Sequence, residues 1–221
     1  KSSLIFELAV AYRAEGKKIG IIAIDPTSPF SGGALLGDRI RMTELSTDEG
    51  VFIRSMGTRG MMGGLTSALY DVVEILDAAG MDIILIETVG VGQDEVDIVK
   101  IADTTLVVLV PGLGDSVQTI KAGLMEIADI FVVNKADKPG IEQTIAELES
   151  MLDLVSSQNQ RTPIVATSAK EKRGIQLLKE RIMEHQSFLK KSHVFETRRR
   201  LRYEAELIEI IRKRLMDFIF D

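Results

Sequence analysis

Asn134-Lys135-Ala136-Asp137 directly follows the apolar run Ile130-Phe131-Val132-Val133. A carboxylate at that place, just past a buried strand, can accept two neighbouring hydrogen bonds from a planar ring. Guanine offers such a pair, N1–H and N2–H₂. Adenine offers none there and would leave the desolvated carboxylate without a partner. Lys135 has a stem long enough to lie over a base, and Asn134 can brace adjacent loops. The next apolar run, 164–167, ends in Ser168-Ala169-Lys170, a second loop element whose backbone N–H can meet guanine O6. One tetrapeptide of this kind arises by chance, but the ordered pair reads as a site for a guanine nucleotide, GTP or GDP.

A phosphate end is also legible. Lys1-Ser2-Ser3 opens directly onto an apolar-periodic helix. In a P-loop, glycine-rich backbone wraps the phosphates just before a helix, a Lys reaches the β- and γ-phosphates, and the next hydroxyl binds Mg²⁺. Lys1, Ser2 and Ser3 match the end of such a loop. On its own a Lys-Ser pair carries almost no information; two acidic strand ends further along the chain give it weight. The run 18–24 ends in Asp25-Pro26-Thr27-Ser28, and the run 82–86 ends in Glu87-Thr88-Val89-Gly90. Open α/β sheets bind ligands at strand C-termini, and a carboxylate there can hold Mg²⁺ or its water shell. Gly90 can bring a backbone N–H to a γ-phosphate. Either acid alone would pass for a solvated strand end. Residues 30–42 form a glycine-rich stretch with Asp38, Arg39 and Arg41. It reads either as a surface loop or as a switch segment ordered by Mg²⁺ and a γ-phosphate. Residues 56–64 form a second such loop whose only evident functional group is Arg59, with surface, substrate-loop and partner-contact readings all open.

The elements that must position these groups alternate regularly. Strands are predicted at 18–24, 51–54, 82–87, 105–110, 130–134 and 164–167. Most are continuous apolar runs, as in strands buried on both faces of a parallel sheet. Helices are predicted at 4–15, 66–79, 96–101, 116–127, 141–156 and 175–189. The expected fold class is therefore α/β, a P-loop NTPase with a mostly parallel sheet and helices on both faces. From residue 194 onward the chain reads as one helix. Leu201, Ile208 and Leu215 recur every seven residues, with Ile211 and Phe218 three places after the last two. Glu204 interrupts that second row, so the seam is short. The tail either folds back on the domain or pairs with a partner helix.

Composition excludes several classes. The chain has 221 residues, no Cys and two His, which removes disulfides and thiolate metal sites. Aromatic residues make up 5% with no Trp, against base-stacking platforms. The net charge of −6 gives no general attraction to polyanions. Arg198-Arg199-Arg200-Leu201-Arg202 is flanked by Glu196, Glu204, Glu206 and Glu209, the pattern of a salt-bridged solvated helix rather than a nucleic-acid module. His185 and His193 read as surface or capping residues. No apolar run reaches membrane-spanning length. Neither a nucleic acid nor a membrane is expected as partner.

The sequence resembles the MeaB/ArgK family, G-protein chaperones of adenosylcobalamin-dependent acyl-CoA mutases. The residues that carry the resemblance are Asp25-Pro26-Thr27-Ser28, Gly33 to Met42, Glu87-Thr88-Val89-Gly90-Val91-Gly92-Gln93-Asp94-Glu95, Pro111-Gly112-Leu113-Gly114-Asp115 and Asn134-Lys135-Ala136-Asp137. It covers residue 1 to about 189 and weakens in the tail. It implies that Lys1 binds phosphates and acts in catalysis, that Ser2 ligates Mg²⁺, and that Asp25, Asp38 and Glu87 surround the ion and the attacking water. Gly90 would sense the γ-phosphate. Residues 112–121 would form a third switch loop facing the client, with Asp115 and Lys121 as its charged contacts. It further implies slow intrinsic GTP hydrolysis, a mutase partner (methylmalonyl-CoA mutase by default), a cytoplasmic homodimer, and a division into a GTPase domain at 1–190 and a helical dimerisation extension at 191–221. Against the family pattern, the strand and glycine loop expected before Lys1 are missing from the sequence, and a longer natural protein is expected. Two rival readings are an ArgK-type transport-associated kinase, for which no protein-substrate loop is evident, and a metal-insertion GTPase, for which Cys ligands are lacking.

Overall fold

The computed structural model describes residues 1–25, 42, 44–57, 64–88, 101–112, 122–155, 162–192 and 194–220. The expectations for Asp38, Gly90, Gln93, Asp115, Lys121 and His193, and for all but the last residue of the helix at 96–101, lie outside them. The elements are α1 (Ser2–Arg13), β1 (Ile19–Asp25), β2 (Val51–Gly57), α2 (Gly64–Ala78), β3 (Ile83–Glu87), β4 (Leu106–Leu109), α3 (Ala122–Ile127), β5 (Ile130–Asn134), α4 (Ile141–Val155), β6 (Ile164–Thr167), α5 (Ile175–Lys191) and α6 (Val194–Phe220). They form two compact units. One comprises residues 1, 3–11 and 103–191; the other comprises 2, 12–102 and 192–221.

The unit containing β1 has a parallel sheet in the order β2-β1-β3. Ile19 lies opposite both Val51 and Ile83, and Ala23 lies opposite Glu87. Central β1 is apolar on both faces, and Ile19, Ile21 and Ile22 are fully buried. Helix α2 packs there through Leu69, Tyr70 and Leu76, together with Ile22, Ile24 and Ile101. Gly20 permits this approach, since a Cβ there would stand 2.9 Å from Leu76 Cδ1. Helix α6 joins this unit through Arg202, whose Nη1 donates to the Ile101 carbonyl at 3.0 Å. Burial, and then the charges of Glu74 and Asp71, raise the Glu206 carboxyl pKa, while Arg202 opposes them.

Polar staples close the other end of this sheet. Arg13 donates to both oxygens of Asp48, from Nε at 2.9 Å and Nη2 at 2.8 Å, and its Nη1 donates to the Lys17 carbonyl. Asp48 also accepts from the Gly50 N–H at 2.8 Å. The Arg13 guanidinium occupies the space that a side chain at residue 50 would need. Asp82 accepts from the Lys18 N–H at 2.8 Å.

In the second unit the sheet is again parallel, in the order β4-β5-β6. All five residues of β5 are buried. Phe131 and Val133 pack with Leu148 and Leu152 of α4 and with Met125 of α3. His185 on α5 is not a free surface residue. Its Nδ1 lies 3.0 Å from Thr104 Oγ1 and its Nε2 lies 3.3 Å from Asp129 Oδ1, while Asp129 Oδ2 accepts from the Thr105 N–H. The imidazole therefore ties α5 to the segments that enter β4 and β5.

The α/β class is as expected, and the described elements follow one another in the expected order. β5 and β6 coincide with the predicted runs, other ends within the described residues move by a few residues, and the first part of the helix expected at 116–127 lies outside them. Met56 and Gly57 belong to β2 and Gly64 opens α2, so the ends of the loop expected at 56–64 are strand and helix instead, and the rest of it, with Arg59, lies outside the described residues. The two-pronged Arg13 contact, then the Gly50 N–H, hold the Asp48 carboxyl below the usual Asp range. A carboxyl with a lowered folded pKa stabilises the fold above its unfolded pKa of about 3.9, and that contribution is lost as pH falls through the folded value. Urea unfolding of Asp48→Asn should show a stability deficit that is constant above about pH 5 and closes towards pH 3. A deficit independent of pH would exclude the ion pair as its source.

Candidate nucleotide site

At the end of β5 the chain makes a sharp, polar turn. Asn134 is buried, and its Oδ1 accepts from Thr167 Oγ1 at 3.1 Å and from the Ala169 N–H at 3.3 Å. Lys135 adopts a left-handed backbone, with φ of 65°. The Ala136 N–H then bonds the Thr167 carbonyl at 2.9 Å, which fastens the turn to the end of β6. This backbone reversal leaves Lys135 and Asp137 exposed beside a buried Asn. A bracing Asn and an outward carboxylate are the arrangement predicted for reading a base.

Ser168 completes it. Its Oγ donates to Asp137 Oδ1 at 2.6 Å and accepts from the Glu171 N–H at 3.3 Å. Ser168 also exchanges two backbone hydrogen bonds with Arg173, closing a short loop that contains Ala169 and Lys170. The Ser168 hydroxyl lowers the Asp137 pKa most, followed by the residue's own backbone N–H; Lys170 and Lys138 add charge in the same direction. Asp137 is thus held ionised, an acceptor on both oxygens. The structure brings Asn134, Asp137, Ser168 and Ala169 into one hydrogen-bonded group, with Lys135 and Lys170 exposed beside it.

At the phosphate end, Lys1 caps α1, its carbonyl accepting from the Leu4 and Ile5 N–H groups at 2.8 and 3.1 Å. Lys1 and Ser3 are exposed, whereas Ser2 is buried. Ser2 Oγ donates to Glu87 Oε1 at 3.0 Å, and Glu87 is itself buried at the end of β3. Asp25 ends β1 in register with Gly57. Ser2 and Glu87, far apart in sequence, are therefore in direct contact. The helix N-terminus beside them favours an anion. Both offer hard oxygen donors, and Mg²⁺ is held by one or two carboxylates plus phosphates and waters, so the pair fits that ion.

The whole chain, residues 1–221, matches the family described as methylmalonyl Co-A mutase-associated GTPase MeaB. The chain belongs to the MeaB family. A Pyrococcus abyssi protein provisionally assigned as a GTPase is 58% identical over 215 residues, covering 96% of this chain and 66% of that protein. The mouse mitochondrial homolog of methylmalonic aciduria type A is 33% identical over 222 residues, covering 98% of this chain and 54% of that protein. A crystal structure of a LAO/AO transport system kinase superimposes with a TM-score of 0.78 at 25% identity, covering 99% of this chain and 66% of that one. This MeaB-family chain thus spans two thirds or less of the length of these relatives, and its fold is that of the P-loop NTPases.

Sequence reasoning misses three contributors. Thr167 reads only as the last residue of a strand, yet its hydroxyl holds Asn134. Glu171 and Arg173 shape the loop through their backbone, which leaves no mark on residue type. Removing the hydroxyl in Ser168→Ala should raise the Asp137 carboxyl pKa towards the ordinary Asp range, as followed by ¹³C NMR titration. An unchanged titration would show that the Ser168 hydrogen bond does not control this carboxyl.

Proposed function

We propose that this chain forms the GTP-binding and GTP-hydrolysing part of a chaperone that gates adenosylcobalamin loading and protection of an acyl-CoA mutase, methylmalonyl-CoA mutase by default. The observation that carries the nucleotide reading is the Asp137 carboxylate, held ionised by Ser168 beside the buried Asn134 brace. Guanine N1–H and N2–H₂ are the donors it would accept. Lys135 would cover the ring, and the loop Ser168-Ala169-Lys170 would supply an N–H to O6. The mutase reading draws on the family description and on the mouse relative's name.

The reaction is attack of water on the γ-phosphate, driven chiefly by positioning and electrostatics. Lys1 would neutralise the phosphates. Ser2, with Asp25, Asp38 and Glu87, would hold Mg²⁺ and its water shell, and Gly90 would contact the γ-phosphate. Bound there, the ion would offset charge on the phosphate oxygens. Glu87 is buried against Ser2 Oγ, so its carboxylate is fixed rather than mobile, which suits a group that orients water. Asp38 would share that task. Low intrinsic turnover is expected if the client completes the site.

The assembly is a cytoplasmic homodimer in this reading, with residues 1–190 as GTPase domain and 191–221 as dimerisation extension. Support comes from α6, where Leu201, Ile208, Ile211, Leu215 and Phe218 all stand exposed along the predicted seam. Exposed apolar rows of this kind mark contact surfaces. None of the described helices is long and apolar enough to cross a membrane.

Glu87→Ala should slow GTP hydrolysis by about a hundredfold, the scale of a lost water-orienting group, while GTP affinity changes by roughly threefold or less. Phosphate release and nucleotide titration on the full-length protein separate the two, and equal loss of both would sink the catalytic assignment. Asp137→Asn should weaken GTP binding by about tenfold to a hundredfold, the scale of a lost charge-assisted hydrogen bond. It should also improve binding of xanthosine triphosphate, whose C2 carbonyl can accept from the new amide. A variant that still prefers GTP would remove Asp137 from base recognition. Stimulation of hydrolysis by added methylmalonyl-CoA mutase tests the client, and no response across acyl-CoA mutases would leave a GTPase without that role.

A further inference from the structure

We propose that Gly174 is a positioning residue for guanine selectivity, holding the base-reading loop closed against the end of β6. The proposal rests on the guanine-nucleotide reading above and extends it to a residue outside the recognition motifs.

Two reciprocal backbone hydrogen bonds join Ser168 and Arg173, at 3.0 and 3.1 Å. The turn between them places the Glu171 N–H on Ser168 Oγ. A hydroxyl has one proton, and with Glu171 donating to its oxygen, that proton is directed to Asp137 Oδ1. The same turn sets the Ala169 N–H on Asn134. The geometry of Asp137 therefore depends on how the loop closes.

Closure requires a left-handed backbone at Lys172, φ 57°, and again at Gly174, φ 73°. At Gly174 the requirement is twofold. A Cβ there would overlap the Ala166 carbonyl oxygen and stand 3.2 Å from both the Ala166 carbonyl carbon and Thr167 Cα. These are backbone atoms of β6, which cannot rotate away as a side chain could. Gly16, Gly80, Gly112 and Gly140 also have positive φ, but a Cβ at any of them would meet nothing within 4 Å. Gly174 thus differs from the other left-handed glycines among the described residues in having backbone packed against it.

The strain of a side chain at 174 would fall on the loop. On the helical side, the Gly174 carbonyl accepts from the Leu178 N–H at 2.9 Å, and α5 is anchored by buried Ile175, Leu178 and Ile182. On the other side, Thr167 and Ser168 are fully buried. The Ser168–Arg173 bridge is what remains to yield. If it opens, Ser168 Oγ leaves Asp137, and the carboxylate loses the orientation that lets it meet two guanine donors together. Inosine lacks the N2 amine and presents only N1–H, so its binding is less sensitive to that orientation.

The test is calorimetric titration of GDP and inosine diphosphate into the full-length protein. Gly174→Ala, Ser168→Ala and the double variant are compared, with Gly80→Ala as a control for positive φ alone. Gly174→Ala should weaken GDP roughly tenfold and inosine diphosphate less, so that the ratio of the two affinities falls. The double variant should lose little beyond either single one, because both act on one group. Gly80→Ala should keep the native ratio. A native ratio in Gly174→Ala, or equal losses for both nucleotides that add to those of Ser168→Ala, would overturn the proposal. If the native protein fails to prefer GDP over inosine diphosphate, the guanine reading itself falls. Should Gly174→Ala not fold, Arg173→Pro removes one bridge hydrogen bond without adding atoms beside Ala166, and must produce the same fall in ratio for the proposal to stand.

Discussion

A carboxylate on a surface turn can rotate, and a rotating acceptor reads a base poorly. The hydrogen bond from Ser168 Oγ to Asp137 Oδ1 removes that freedom, and much of the second unit serves to make it possible. Ser168 is buried and held in place, because its backbone is bridged to Arg173 and continues directly from β6. Asn134 spans the gap between β5 and β6 by accepting from Thr167 and Ala169. Each of these polar groups would be costly to bury alone. Bonded to one another, they turn two adjacent strand ends into one rigid platform.

The platform depends on the parallel sheet behind it. Strand β5 is apolar at its first four positions and polar only at its last, Asn134. Strand β1 repeats the pattern, with isoleucines running into Asp25, and β3 ends in Glu87 in the same way. A strand covered on both faces tolerates no polar residue along its length, so polar chemistry collects where the strand leaves the sheet. Parallel pairing then brings all such exits in one sheet to one edge.

That regularity explains how much can be read from the residues alone. Continuous runs of Ile, Val and Phe mark the strands, and the acid or amide that ends β1, β3 and β5 marks a candidate site, because burial constrains residue type there. Thus β5, Asn134 and Asp137 are legible, and so is Glu87. The Arg13–Asp48 staple is not, because neither residue has a local signature and the partners meet only through the fold. His185 reads as a surface residue for the same reason: Thr104 and Asp129 are distant in sequence. Strand ends move where propensity and hydrogen bonding disagree. Met56 and Gly57 look like the start of a flexible loop, yet they continue to pair with Ile24 and Asp25.

Two carboxylates, one in each unit, illustrate a division of labour set by environment. Asp137 is exposed, ringed by donors and held below the ordinary carboxylate range, so it stays an acceptor at any physiological pH. An acceptor of that kind discriminates by leaving itself unsatisfied when the wrong ring arrives. Glu87 is buried and already engaged by the Ser2 hydroxyl. Buried charge is tolerated only with partners that satisfy it, and a cation beside a phosphate is such a partner. The exposed acid is thus suited to choosing the nucleotide, and the buried one to acting on it. Swapping Asp for Glu would not exchange the two environments, because the difference lies in exposure at the turn after β5 and burial at the end of β3. A serine hydroxyl orients an exposed carboxylate in one case and fixes a buried one in the other, and in the proposed reading the first meets the base and the second serves the chemistry.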